Sequence, residues 1–174
     1  MLIKEICQVL INVLELIYLT QPNEKEWKSY AEGFWNRWNV PNCVGAVDGK
    51  HITLQCPRNS GSLYFNYKKY YSIVLMAVAN DVYRFTLVDV GAYGGNSDGG
   101  IFSESLIGEN LKNKTLNLPK GTFKLPNSQD CTPTFLLADD AFSLSTTIMK
   151  PVYNIYRKKF RRKTKNMQLQ VFAS

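Results

Sequence analysis

The chain has 174 residues, 45% hydrophobic and 13% aromatic, enough for one domain with a proper core and too apolar for a disordered protein. Its net charge is +7, and the excess is local: without Arg157, Lys158, Lys159, Arg161, Arg162, Lys163 and Lys165, 14 basic residues face 14 acidic ones. The four cysteines show no CxxC spacing and the single histidine is His51, which excludes a zinc finger and favours buried thiols over a disulfide framework.

In chain order, residues 3–19 repeat apolar side chains at three and four positions (Ile6, Val9, Leu10, Val13, Leu14, Ile17), which predicts an amphipathic helix docked on the domain. The run is too short to span a membrane and carries Glu15, and it has no cleavage-site pattern. After the turn QPNEKE, Glu24 to Trp38 predicts a second helix whose Trp27, Tyr30, Phe34, Trp35 and Trp38 face the core. From Pro41 the pattern becomes β-rich. VGAVDGKHITLQCP, YYSIVLMAVAND and YRFTLVDVGAYG predict three strands in an antiparallel meander, with NDVY as a hairpin turn. SDGGIFSESLIGENLKN predicts one helix capped by Ser97 or Asp98, with Ile101, Leu106 and Leu111 on one face. Residues 112–134 predict a long loop with a short hairpin, TFLLADDAF a further buried strand, and SLSTTIMKP a loop or short helix. The expected organisation is an N-terminal helical segment (1–40), an α/β core (41–151) and a basic C-terminal arm (152–174).

Aspartate stands where strands should end: Asp48 in GAVDGKH, Asp98 in GAYGGNSDGG, and Asp139 with Asp140 in FLLADDAF. Each has an ordinary reading. Asp98 would serve as a helix cap, Asp139 or Asp140 would bind neighbouring backbone N–H groups, and a hydrogen-bonded Asp48 would be structural. Three such carboxylates on separate strand ends also suit a hard divalent cation, which takes oxygen ligands. Asp89 alternates with Val88 and Val90, which directs it away from that set, and Asp81 reads as turn chemistry. Lys50 and His51 flank Asp48, and His51 reads either as a structural histidine or as a phosphate contact. The glycine-rich stretch is neither GxGxxG nor a P-loop, so no nucleotide cofactor is expected. With one histidine, beside Asp48, serine and cysteine hydrolase arrangements lack a base. The basic arm reads as a nucleic-acid contact or nuclear-localisation signal.

The motifs VDGKH, SGSxxFNYKxYYS, GxNSDGGIF and FLLADDAF, with IMKP, resemble the Harbinger transposase-derived nuclease family, a DDE superfamily endonuclease domain, from roughly Trp27 to Pro151. The resemblance implies an α/β, RNase H-like fold with a mixed central sheet flanked by helices. It implies cleavage of DNA phosphodiesters with Mg or Mn as cofactor, by two-metal catalysis, in the nucleus and with no membrane. Carried over motif by motif, Asp48, Asp98 and Asp139 are the catalytic and metal-binding acids. Lys50, His51 and the basic residues from Arg157 to Lys165 are the nucleic-acid contacts. Relatives continue into a segment with a final glutamate; here Asn166 or a neighbour falls at that place, and no acidic residue follows Asp140. The resemblance therefore implies an incomplete metal site with weak or absent cleavage. Because the relatives' N-terminal recognition segment is mostly missing, it also implies a protein partner that supplies DNA recognition. The alternative is a non-catalytic DNA- or protein-binding module of transposase origin.

Overall fold

A computed structural model describes residues 2–150 of the chain. Helix α1 (Leu2–Tyr18) is followed by α2 (Glu24–Trp38), then by strands β1 (Cys43–Thr53), β2 (Ser72–Ala79) and β3 (Phe85–Tyr93). Helices α3 (Asp98–Glu104) and α4 (Leu106–Lys112) come next, then β4 (Phe123–Lys124), β5 (Cys131–Thr132), β6 (Phe135–Leu137) and β7 (Ile148–Met149). Five strands form one mixed sheet in the order β3-β2-β1-β6-β7, and β4 pairs with β5 in a separate hairpin. The meander β1-β2-β3 is antiparallel, while β1-β6 and β6-β7 are parallel. This is the α/β, RNase H-like arrangement that the motifs imply.

Each element begins and ends for local reasons. At the start of α2 the Asn23 side chain accepts from the Lys25 and Glu26 N–H groups, and Glu26 Oε2 accepts from the Asn23 N–H at 2.8 Å. This reciprocal cap is written in the sequence as N-E-K-E. The helix stops at Asn39, whose φ of 55° is left-handed. Strand β2 is buried on both faces, so its run of apolar residues has no polar alternation.

Two apolar clusters hold the layers together. Trp27, Val44, Val47, Val74, Met76 and Val78 pack with Ile101, Ile107 and Leu111 of α3 and α4. On the other side Phe34 and Val40 pack with Cys43, Ala46, Phe135 and Leu137. Of the predicted core aromatics of α2, Trp27 and Phe34 are fully buried, Tyr30 and Trp38 are partly buried, and Trp35 is exposed.

Several expectations need correction. Helix α1 exists but buries no residue among the described ones, with Ile6 49%, Leu10 50% and Val13 53% exposed. α2, not α1, covers β1. The predicted single helix after Ser97 is two, because Ser105 adopts extended backbone (φ −75°, ψ 156°) and caps the second one. That break turns Leu106 out to solvent (68% exposed) and puts Ile107 in the core. The stretch before Lys150 is a loop ending in strand β7, which completes the parallel edge. The alternation around Asp89 expects Val88 and Val90 to be buried, but Val90 is 59% exposed. Only Cys43 is a buried thiol, pushed up to about 12 by burial; Cys7, Cys56 and Cys131 are exposed. The arm from Arg157 to Lys165 lies outside the described residues.

Candidate functional site

β1 sits at the centre of the sheet and is much longer than its parallel neighbour. The last β1–β6 pair is Ala46 with Leu137, while β1 runs on to Thr53. Past that pair the β6-facing edge of β1 has no strand beside it among the described residues, and Asp48 stands at this notch. Its Oδ1 accepts the Gly49 N–H at 2.8 Å. Extending the β1–β6 register by two residues sets Asp139 next to Asp48, on the same side of the sheet as Ala46 and Leu137. Asp139 Oδ1 accepts the Ala141 N–H at 2.9 Å in the turn that leaves β6.

Asp98 arrives from the opposite face. It is the first residue of α3, whose cap is Ser97: Ser97 Oγ accepts the Gly100 N–H at 3.2 Å. Asp98 is therefore free of capping duty, and its carboxyl lies over Gly49. A Cβ at position 49 would stand 2.5 Å from Asp98 Oδ1, so only glycine leaves room for it. Gly99 makes a similar approach, since a Cβ there would run into the Ala141 carbonyl oxygen. Two glycines thus let the segment carrying Asp98 close down on the segments carrying Asp48 and Asp139.

The three acids share one electrostatic neighbourhood. Burial, with added repulsion from Asp139 and then Asp98, pushes the Asp48 carboxyl up to about 7, against the lowering effect of the Gly49 N–H and of Lys68. Burial also raises Asp98, where His51 and Lys68 lower it and Asp139 raises it. Asp98 Oδ1 is buried and has no hydrogen-bond partner. Even so, among the described residues no three His, Cys, Asp or Glu side chains stand close enough together to hold one ion. The geometry explains this: Asp48 and Asp98 flank β1 from its two faces, and Asp48 and Asp139 each turn an oxygen to a local backbone N–H. The side-by-side pair is Asp48 and Asp139, with Asp98 across the strand.

The residues present fit a hard divalent cation. The donors are all carboxylate oxygens, burial and the neighbouring acids disfavour the charged forms of Asp48 and Asp98, and Asp98 Oδ1 is an unpartnered acceptor. Mg²⁺ bound through one or two carboxylates needs no closed protein cage.

Of the other sequence candidates, His51 lies on the Asp98 side of β1, with Nδ1 2.8 Å from Ser72 Oγ. Burial lowers its pKa, while Asp98 raises it and Lys68 lowers it. Lys50 is half-buried on the Asp48 side and has an interaction of its own. Asp140 is exposed, and its carbonyl oxygen accepts from Lys150 Nζ at 3.0 Å. Asp89 accepts the Leu106 N–H at 3.0 Å at the start of α4 and takes no part in the site. Asp81 lies in the hairpin turn, but Asn80 closes that turn, its Oδ1 accepting the Val82 and Arg84 N–H groups, while Asp81 binds α2: its carboxylate accepts from Arg37 Nε at 2.8 Å and its carbonyl from Trp38 Nε1 at 3.1 Å. Sequence reasoning missed Lys68, whose charge reaches Asp48, Asp98 and His51. Its signal was the FNYK of the loop between β1 and β2, read as a family motif without a role for its lysine.

Residues 47–171 match the family model described as DDE superfamily endonuclease. The chain belongs to that family. The match begins at the residue before Asp48 and takes in Asp98 and Asp139. No curated protein and no solved structure matches the chain. As a DDE superfamily endonuclease domain it falls in a family that implies a DNA substrate and typically uses divalent metals. Among the described residues no helix is long and apolar enough to cross a membrane.

Proposed function

We propose that this DDE endonuclease domain is of the Harbinger transposase-derived kind and binds Mg²⁺ or Mn²⁺ at the β1–β6 notch. Asp48 and Asp139 form the primary pair and Asp98 is the third acid. The observation that carries the reading is the buried, unpartnered Asp98 Oδ1 poised over Gly49 within the electrostatic reach of the other two acids. What an ion supplies when bound is a more acidic water and charge neutralisation at a phosphodiester oxygen. This chain's own residues hold the ligand oxygens in place, the Gly49 N–H at Asp48 and the Ala141 N–H at Asp139. His51, fixed by Ser72, is placed to donate to a phosphate oxygen on the Asp98 side. Cleavage is weak or absent, because the family resemblance sets Asn166 or a neighbour, none of them acidic, where relatives have glutamate.

Calorimetric titration of Mn²⁺ into wild type and Asp48→Ala tests the site. Binding heats in wild type that vanish in the variant support it, and equal heats from both proteins rule out a centre at Asp48. A nuclease assay in Mn²⁺, with Asp98→Ala as control, measures residual cleavage.

A second reading rests on the same missing carboxylate: a non-catalytic module that binds DNA through the arm 152–174, resides in the nucleus, and takes DNA recognition from a protein partner. Under this reading, deleting Arg157 to Lys165 abolishes DNA affinity while metal has no effect on it. Undiminished affinity after the deletion removes it.

A further inference from the structure

The loop joining β1 to β2 has a built interior and an exposed, cationic, aromatic tip. Asn66 is 2% exposed, and its side chain bonds on both its oxygen and its nitrogen within the loop and the start of β2. Its Oδ1 accepts the Lys68 N–H at 2.9 Å and the Tyr70 N–H at 3.2 Å, and its Nδ2 donates to Ser72 Oγ at 2.8 Å. The Asn66 backbone N–H bonds the Tyr70 carbonyl, and the Lys69 N–H bonds the Asn66 carbonyl, with Lys69 at a left-handed φ of 67°. Phe65 bridges to Tyr71 below this tip.

The same hydroxyl that receives Asn66, Ser72 Oγ, also meets His51. The loop is thereby wired to the Asp98 side of the site. It is further clamped by backbone contacts. The Gly94 N–H bonds the Ser72 carbonyl, and the Gly95 N–H bonds the Leu63 carbonyl, both at 3.0 Å. A Cβ at Gly94 would collide with Ser72 Oγ, so the glycine pair just before Ser97 and Asp98 exists to let the loop lie against that turn.

What this scaffold presents outward is Tyr67, 78% exposed, and Lys68, whose Nζ lies 5.4 Å from the Tyr67 ring centre. The Tyr67 ring meets the His51 ring edge-on at 5.7 Å, and Tyr70 does so at 6.3 Å. A fixed cation beside an exposed aromatic, adjoining a carboxylate site, is the pairing that holds a nucleic-acid strand. The cation contacts phosphate and the ring stacks on a base. We propose that the loop Ser62–Tyr71 is a DNA grip, with Lys68 contacting a backbone phosphate beside the carboxylates and Tyr67 stacking on the adjacent exposed base. This rests on the family's DNA substrate and makes Lys68 a positioning residue for the strand presented to Asp48, Asp98 and Asp139. It also gives the folded domain a DNA contact separate from the basic arm.

The test is fluorescence anisotropy with a labelled single-stranded oligonucleotide and a duplex, over a NaCl series in EDTA, using the full chain. Variants are Lys68→Ala, Lys68→Arg and Tyr67→Ala. Each neutralised phosphate contributes a slope of about −0.7 in log K against log salt on single strands and about −0.9 on duplex. Lys68→Ala is expected to make the slope shallower by one such unit and to weaken binding about tenfold at low salt. Lys68→Arg restores both. Tyr67→Ala weakens single-strand binding about fivefold or more with the slope unchanged. Wild-type slope and affinity in both alanine variants overturn the proposal. So does a loss in Lys68→Ala that Lys68→Arg does not recover, which marks a structural lysine. Because EDTA removes metal from every arm, failure of the metal-site reading shows instead in the Mn²⁺ calorimetry and leaves these outcomes unaffected.

Discussion

Asp48 is a residue whose fold and proposed chemistry pull in opposite directions. Its carboxyl titrates near 7 when folded against 3.8 ordinarily, mainly because it is buried. The folded protein therefore holds more protons than the unfolded chain between those values. The favourable contribution is complete below pH 4 and is lost as pH rises through 7. At about 1.4 kcal/mol per pKa unit, the loss is at most about 4 kcal/mol. Asp48→Asn keeps the shape and can still accept the Gly49 N–H, but it does not titrate. In EDTA it should equal wild type near pH 4 and exceed it by a few kcal/mol at pH 8, measured by chemical denaturation at both pH values. A variant no more stable than wild type at pH 8 contradicts the burial argument. The same substitution should remove any gain in Tm on adding Mg²⁺. None of this tension could be read from GAVDGKH alone. The sequence placed a carboxylate in an apolar strand, but the notch that half-buries it comes from β6 stopping at Leu137.

The elements differ sharply in how firmly they are held. Trp27 anchors α2 with its ring fully buried and its Nε1 donating to the Leu116 carbonyl at 2.7 Å. Trp27→Phe removes that donor, leaves a buried acceptor unpaired and shrinks the side chain, so urea denaturation should show a loss of about 1–3 kcal/mol. α1 is the contrasting case. Its 3.6-residue periodicity was plain in the sequence and the helix is there, yet the same periodicity suggested a docked face that the described residues do not provide. Periodicity reports that one side of a helix is apolar and says nothing about which surface covers it. Accordingly Leu10→Asp should shift stability by no more than about 0.5 kcal/mol in a thermal melt. The break at Ser105 was missed for a related reason: serine caps and serine within helices look alike until the backbone is seen. β7 was missed because two residues in a parallel edge carry no alternation to read.

At the scale of the whole molecule, the candidate site is a meeting of three chain segments that glycines permit. Gly49→Ala tests this without touching a carboxylate, because the new methyl would sit 2.5 Å from Asp98 Oδ1 and drive that side chain away. Wild-type Tm should rise with Mg²⁺ by mass action, about 2.7 kcal/mol of stabilisation at a hundredfold excess over Kd. In Gly49→Ala the rise should disappear, while the metal-free protein loses about 1–3 kcal/mol from overpacking. A variant that keeps the full Mg²⁺ response shows that Asp98 is not needed at the centre.

The sequence by itself determined the two N-terminal helices, the strands of the meander and the family to which the chain belongs, because periodicity and motif are local properties of the chain. Tertiary structure alone decided that Asp48 and Asp98 flank β1 from its two faces, and that Lys68 reaches Asp48, Asp98 and His51. These facts depend on sheet register and on backbones that pack within a methyl's width of each other, and neither leaves a mark on residue spacing.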